Sequence, residues 1–346
     1  MFNQNRFIKS LMCGGVCAAL LAGCNKPATE DNTTAETTDT PAAVATDNKT
    51  VAITAIVEHP ALDAVREGVI EELGNEGFTE GQNLTVNFQS AQGSTATAGQ
   101  IAKQFVGDDP NVIVAIATPS AQSVAAATTT IPIVFSAVTD PVEAKLVSKL
   151  DGSGTNVTGA SDALPYAPQI ELMKQIIPNL KNVGYVYSPG EVNSTIVLKN
   201  LEDKLTPMGI TVHAAPAQRS NDIAMAARSI VGDVDVIYTS TDNNVVSAYE
   251  SLYQVAKESK VPLIASDTDS VARGAVAALG VNYHDLGIET GKIVARILNG
   301  EKAGDIPVYT AKDLDLFVSP TNAAAVGLEL PKEVLERAQI VEPNSQ

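Results

Sequence analysis

The stretch Val51-Ala52-Ile53-Thr54-Ala55-Ile56-Val57-Glu58-His59-Pro60-Ala61-Leu62-Asp63 carries the plan of the fold. Its first half is apolar and largely β-branched, the pattern of a strand buried on both faces, as in a parallel sheet covered by helices. Pro60 then opens a helical pattern that runs to Glu76, with apolar residues at Leu62, Val65, Val69, Ile70 and Leu73 and Gly77 placed to end it. A strand, a short polar turn and an amphipathic helix make a β-α unit, and the same rhythm recurs along the chain. Strands are predicted over Leu84–Phe88, Val112–Ala117 and Ile131–Phe135, with a helix over Thr95–Val106. After Pro165 the rhythm restarts: helices to Ile177 and over Ser194–Leu205, Asp222–Ile230 and Val245–Glu258 alternate with strands over Val183–Tyr187, Ile210–Ala214, Val234–Tyr238 and Pro262–Ala265. About 300 residues follow Lys49, enough for two lobes of roughly 120 to 150 residues each. The expected class is α/β, with two doubly wound, Rossmann-like parallel-sheet lobes.

Upstream of that unit the chain reads differently. Arg6 and Lys9 precede an apolar run from Leu11 to Leu21, too short to span a bilayer but suited to a cleaved signal segment. Leu20-Leu21-Ala22-Gly23-Cys24 follows, and small residues before a cysteine resemble the lipobox of bacterial lipoproteins, in which the Cys24 thiol is acylated and becomes the new amino terminus. Cys13, Cys17 and Cys24 are the only cysteines, so the rest of the chain can form neither an internal disulfide nor a thiolate metal site. Asn25 to Lys49 is rich in Thr, Ala, Asp and Pro with no apolar period, the composition of a disordered tether with a reach of roughly 25 to 30 Å. The net charge is −17, and about −19 once Arg6 and Lys9 are removed. That balance argues against nucleic acid or an anionic membrane surface as a partner.

In doubly wound sheets ligands bind beyond the carboxyl ends of the strands. Here those ends carry Glu58, His59 and Asp63 after the first strand, Thr118, Ser120 and Ala121 after the third, and Thr139 and Asp140 after the fourth. The second half contributes Asn193, then Thr241, Asp242 and Asn243, then Asp267. Hydroxyls, amides and single carboxylates suit reversible capture of a small zwitterion or polyol. Thr118 and Ser120, with the free N–H groups of the helix after Pro119, suit a carboxylate, and Asp242 or Asp267 suits an ammonium group. Each of these polar residues also fits the simpler role of an N-cap. His59 either meets a ligand ring or organises its own loop, and Phe135 and Tyr185 read as core.

Catalytic patterns are missing. Gly159-Ala160-Ser161-Asp162-Ala163 is not Gly-x-Ser-x-Gly, and neither a phosphate loop nor Gly-x-Gly-x-x-Gly follows a strand. Three scattered histidines without a second ligand at metal spacing do not make a zinc site. The expectation is a binding protein without cofactor or metal, not an enzyme.

Five segments together resemble a known family: Glu58 to Asp63, Ala117 to Gln122, Ala137 to Pro141, Gly159 to Pro165 and Ser240 to Asn243. The family is that of ABC transporter substrate-binding proteins, including tryptophan- and tyrosine-binding lipoproteins, and the likeness covers nearly all of residues 50 to 342. It implies a type I periplasmic binding fold, two lobes joined by a three-crossover hinge. The crossovers would lie near Asn156–Pro165, Val281–Asp285 and Asp313–Pro320, with residues 286–300 a helix returning to the first lobe. The implied domains are a signal peptide (1–23), the lipidated Cys24 with its tether (24–49), an N-terminal lobe (50–158 plus 284–312) and a C-terminal lobe (159–283 plus 313–342). Ser161 and Asp162 join the candidate site through this resemblance. The implied function is capture of an aromatic amino acid and delivery to an ABC permease and its ATPase. The protein would be exported and lipid-anchored, facing the periplasm or, in a Gram-positive cell, the exterior. Sensory or surface roles, and a sugar- or nucleoside-type ligand, are the alternatives.

Overall fold

The computed structural model describes residues 48–344; the expected signal segment, Cys24 and nearly all of the tether lie outside them. The N-terminal lobe begins with β1 (Lys49–Ala55), α1 (Pro60–Asn75), β2 (Leu84–Ser90), α2 (Thr95–Asp108), β3 (Val112–Ile116), α3 (Thr118–Ala127), β4 (Ile133–Ser136) and β5 (Val157–Ser161). The chain then crosses to a second sheet through α4 (Tyr166–Ile176), β6 (Asn182–Tyr187), α5 (Val192–Leu205), β7 (Thr211–Pro216), α6 (Ile223–Arg228), β8 (Val236–Thr239), α7 (Asn243–Ser247), α8 (Tyr249–Glu258), β9 (Leu263–Ala265) and β10 (Ala277–Gly280). It returns for α9 (Tyr283–Leu298) and β11 (Tyr309–Thr310), then crosses again for β12 (Asp315–Val318), α10 (Pro320–Ala325), α11 (Lys332–Leu335) and β13 (Gln339–Ile340).

The first sheet has the order β11-β5-β4-β3-β1-β2 and the second β13-β12-β10-β9-β8-β6-β7. All pairings are parallel except β10 with β12. The chain passes between sheets after β5, β10 and β11, which makes the two-lobed α/β architecture of type I periplasmic binding proteins. β1, paired with β2 and β3, is buried from Val51 onward, as its unbroken apolar run requires.

The structure departs from the sequence reading in several places. The expected lobe boundary after residue 158 cuts through β5, whose register with β4 continues to Gly159 and Ala160. The true passage follows Ser161. β10 has the sequence Ala-Ala-Leu-Gly, with no β-branched residue to announce it, and is a strand because β9 and β12 flank it. The single helix expected over Val245–Glu258 is two, α7 and α8, meeting at Ala248.

The return of α9 to the N-terminal lobe depends on small residues. α1 and α9 cross where Gly68 faces Gly287, and a Cβ on Gly287 would stand 2.3 Å from the carbonyl oxygen of Val65. A hydrogen bond of 2.7 Å between the buried hydroxyls of Ser136 and Thr290 fastens α9 to β4. Because backbone cannot yield as a side chain can, Gly287→Ala is expected to destabilise the protein by about 2 to 3 kcal/mol. Urea unfolding tests this, and an unchanged midpoint would show that the helices can part.

Candidate functional site

The carboxyl ends of the two sheets face each other, and the helices that open there form the walls of a cleft. From the N-terminal lobe comes α3. Its N-cap Ala117 has φ 75° and ψ 153°, a backbone region ordinarily reserved for glycine, held by a bond from its N–H to the Ser136 carbonyl. This turn sets Thr118 and Ser120 at the first helical turn, both buried, with the Ser120 hydroxyl lacking any hydrogen-bond partner. From the C-terminal lobe α5 approaches α3 and brings Asn193, whose side-chain oxygen is also buried and unpaired. Buried polar groups are rarely left so, and their gathering at one cleft is a ligand-site signature.

Asp162 stands on the first crossover between the lobes. It is 3% exposed, and its Oδ2 accepts a hydrogen bond of 2.7 Å from the Tyr283 hydroxyl while Oδ1 has no partner. Burial raises its pKa, and the hydrogen bond from Tyr283, with the Thr139 and Thr241 hydroxyls nearby, pulls back only part of that shift. The carboxylate therefore lacks a positive partner. Asp162, Thr139 and Thr241 line a cavity with Tyr166, Gln169 and Tyr238. Burial pushes the Tyr166 phenol up to about 12 and raises that of Tyr238, so both rings stay neutral. The cavity volume is about 20 Å³, room for about one water, so the lobes are closed and an amino acid would enter only as they part.

Other expected site residues turn inward. Asp242 was expected to reach an ammonium group; instead both its oxygens are occupied within its own lobe. They accept from the Ser188 N–H (2.6 Å) and hydroxyl (2.9 Å), the Ser194 hydroxyl (2.6 Å) and the N–H groups of Asn244 and Val245 (3.0 Å each). Asp267 caps the following turn through Ser270 N–H and hydroxyl, and burial pushes its pKa up to about 6. Asp140 accepts from the N–H groups of Val142 and Glu143, and the Ser161 hydroxyl accepts from Ala163 N–H. Asp63 is half-buried beside Arg66 at 3.4 Å, Glu58 is exposed, and Ala121 is packed in the core.

His59 caps α1, its Nδ1 accepting from Leu62 N–H at 3.4 Å. Burial and then the Arg273 charge, which belongs to the opposite lobe, lower its pKa to about 3, so the imidazole is neutral at the closed interface. Arg273 itself grips Glu250 through two bonds of 2.6 and 2.8 Å and is not free for a ligand carboxylate.

Glu191 is a residue the site reading passed over. Its Oε2 accepts from the side-chain amides of Asn193 and Asn243 and from Asn243 N–H, which fixes both asparagines. Burial, and then the Asp242 charge, push its pKa up from 4.5 to about 7. A raised carboxyl pKa means the folded state holds its proton more tightly than the unfolded one. The associated stability is complete below the unfolded pKa and is lost as pH rises towards 7. Glu191→Gln is expected to remove that loss, gaining on the wild type by a few kcal/mol between about pH 4.5 and pH 8. Parallel unfolding curves for the two proteins across this range would contradict the assignment.

Among the described residues no group of three or more His, Cys, Asp or Glu side chains is placed to hold a metal ion. None of the helices there is long and apolar enough to cross a membrane.

Residues 50–342 match the family profile of ABC transporter substrate binding proteins. The chain belongs to that family. Its similarity extends to a tyrosine-binding protein of Clostridioides difficile, 36% identical over 95% of this chain and 94% of the relative. Among solved structures it resembles the ABC domain in complex with L-Trp from Streptococcus pneumonia, with a TM-score of 0.82 and 32% identity over 85% of this chain and all of the other. It also resembles the ligand-free, open structure of a Clostridium difficile substrate binding protein with adhesive properties, with a TM-score of 0.65 and 40% identity over 86% of this chain and all of that one. The substrate-binding protein described here superposes better on the ligand-bound structure despite the lower identity. As components of ABC transporters, such proteins work outside the cytoplasm with a small molecule and a permease.

Proposed function

We propose that this protein captures an aromatic amino acid between its lobes and presents it to an ABC permease and ATPase. The observation that carries the reading is Asp162: a buried carboxylate with one unpaired oxygen and no positive partner, in a cavity that also holds two tyrosine rings. A ligand ammonium at Asp162, with Thr139 and Thr241 beside it, would neutralise a charge otherwise costly to bury. The ligand carboxylate would lie at the first turn of α3, on Thr118, Ser120 and the free N–H groups there. Tyr166, Tyr238, Leu164 and Val197 supply the apolar surface for a ring. Kinship to a tyrosine-binding protein and to a domain holding L-Trp supports the same ligand class.

Closure couples binding to recognition. Ligand bridges the lobes and shifts the population towards the closed form, by no more than its differential affinity for the two forms, and the permease can then tell loaded from empty protein. Thermal-shift titration against the amino acids, sugars and nucleosides tests the ligand, since melting temperature climbs once concentration passes Kd. A rise confined to Trp, Tyr or Phe is expected. A rise only with sugars or nucleosides would keep the fold and overturn the ligand.

The reading includes a lipid anchor on Cys24, with the segment to Lys49 holding the domain near the membrane. Cys24→Ser is expected to move the protein from the membrane to the soluble fraction of cells while leaving ligand affinity unchanged. Retention in the membrane fraction would dispose of the anchor.

A further inference from the structure

The cavity behind Asp162 holds a second unpaired acceptor that an amino-acid backbone does not explain. Gln169, near the start of α4, is wholly buried at 0% exposure. Its Nε2 donates to the Leu279 carbonyl in β10 at 2.7 Å. A backbone carbonyl can only accept, so the amide is held one way round, nitrogen on β10 and oxygen turned away from it. That oxygen, Oε1, has no hydrogen-bond partner, and Gln169 lines the cavity with Tyr166, Tyr238, Leu164 and Val197.

The two polar features belong to different places. Asp162 is on the crossover, bonded to Tyr283 at the start of α9, whereas Gln169 is fastened to β10 inside the C-terminal lobe. The wall carries Tyr166, Tyr238, Leu164 and Val197 together with the hydroxyls of Ser240, Thr241 and Ser266. A flat ring fits against those side chains; the Ser266 hydroxyl is also unpaired but can rotate to donate or accept, so the Gln169 amide oxygen is the acceptor of fixed direction and calls for one N–H or O–H on the ring. A benzyl group would bury Oε1 with nothing to donate to it, and burying an unpaired acceptor is unfavourable in a way that burying a paired one is not.

Resting on the aromatic amino-acid reading above, we infer that Gln169 is a specificity-determining residue that selects ligands whose ring carries a hydrogen-bond donor, the indole of Trp or the phenol of Tyr, against Phe. Gln169 reads the ring, and Asp162 reads the ammonium group common to all three. The selection works through rejection as much as attraction, because the fixed amide cannot turn its nitrogen to the cavity without leaving Leu279.

The test is calorimetric titration of the purified protein with L-Trp, L-Tyr, L-Phe and 3-benzothienyl-L-alanine, a tryptophan isostere with sulfur in place of the ring N–H. Phe and the sulfur analogue are expected to bind about 10- to 100-fold more weakly than the donor-bearing ligands, the range for one buried neutral hydrogen bond. Gln169→Met, which keeps the length and removes the acceptor, is expected to narrow the Trp-to-analogue ratio to about threefold or less while Phe binding persists. Equal wild-type affinity for Trp and its sulfur analogue would overturn the inference. So would a Gln169→Met protein that weakens all four ligands alike, the behaviour of a residue that only holds α4 on β10. If that variant fails to fold, the wild-type comparison of the two isosteres decides alone. Binding of none of the four, with another ligand class bound, would instead remove the aromatic reading on which the inference stands.

Discussion

Asp162→Asn is expected to weaken binding of an aromatic amino acid by about 100- to 1,000-fold, the consequence of leaving a buried ammonium without its countercharge. Asparagine keeps the shape and can still accept from Tyr283, so the loss would report charge and not packing. Without ligand, the variant is expected to be as stable as the wild type or more so, because it no longer buries an unpartnered carboxylate. Loss of affinity together with retained stability separates a binding role from a structural one. The pH dependence follows from the same residue. Burial raises the pKa of Asp162, and a bound ammonium would lower it again. Binding therefore expels a proton at pH values between the lowered pKa of the bound form and the raised pKa of the free form, and across that window wild-type affinity falls by up to about tenfold per pH unit as pH decreases. The asparagine variant should lack this slope. Isothermal titration at several pH values measures both effects, and wild-type affinity in the variant would exclude Asp162 from the site.

Asp242→Ala is expected to have the opposite signature, loss of about 3 to 5 kcal/mol of folding stability with ligand affinity in the folded fraction kept within about tenfold. Its carboxylate joins three elements: the loop after β6 through Ser188, the start of α5 through Ser194, and the start of α7 through Asn244 and Val245. Alanine leaves those donors buried and unpaired, and it leaves the first turn of α7 without its cap. Chemical unfolding combined with titration at low temperature resolves the two quantities. A stable variant that no longer binds would return Asp242 to the ammonium role.

The difference between these two aspartates marks how far the site was legible. Thr241-Asp242-Asn243 reads identically as an N-cap and as a ligand clamp, because both demand a short acidic side chain just before a helix. What decides is the arrival of Ser188 from the loop after β6 and Ser194 from the start of α5, about fifty positions away in the chain. Gln169 gave no local signal at all. It occupies an ordinary helical position, and its meaning depends on the Leu279 carbonyl, 110 residues later. His59 was legible as a special position beside Pro60, but both of its readings survived until the cap to Leu62 and the facing Arg273 were in view.

The β-α rhythm, the polar strand ends and the family itself were legible in the sequence alone. Hydrophobic period, proline and glycine placement act over a few residues, so they can be read along the chain. Tertiary structure alone decided that β5 belongs to the first sheet, that β10 is a strand at all, and which of several buried carboxylates lacks a partner. Those outcomes depend on groups brought together from distant positions, where the burial of each charge is settled by donors that no local pattern reveals.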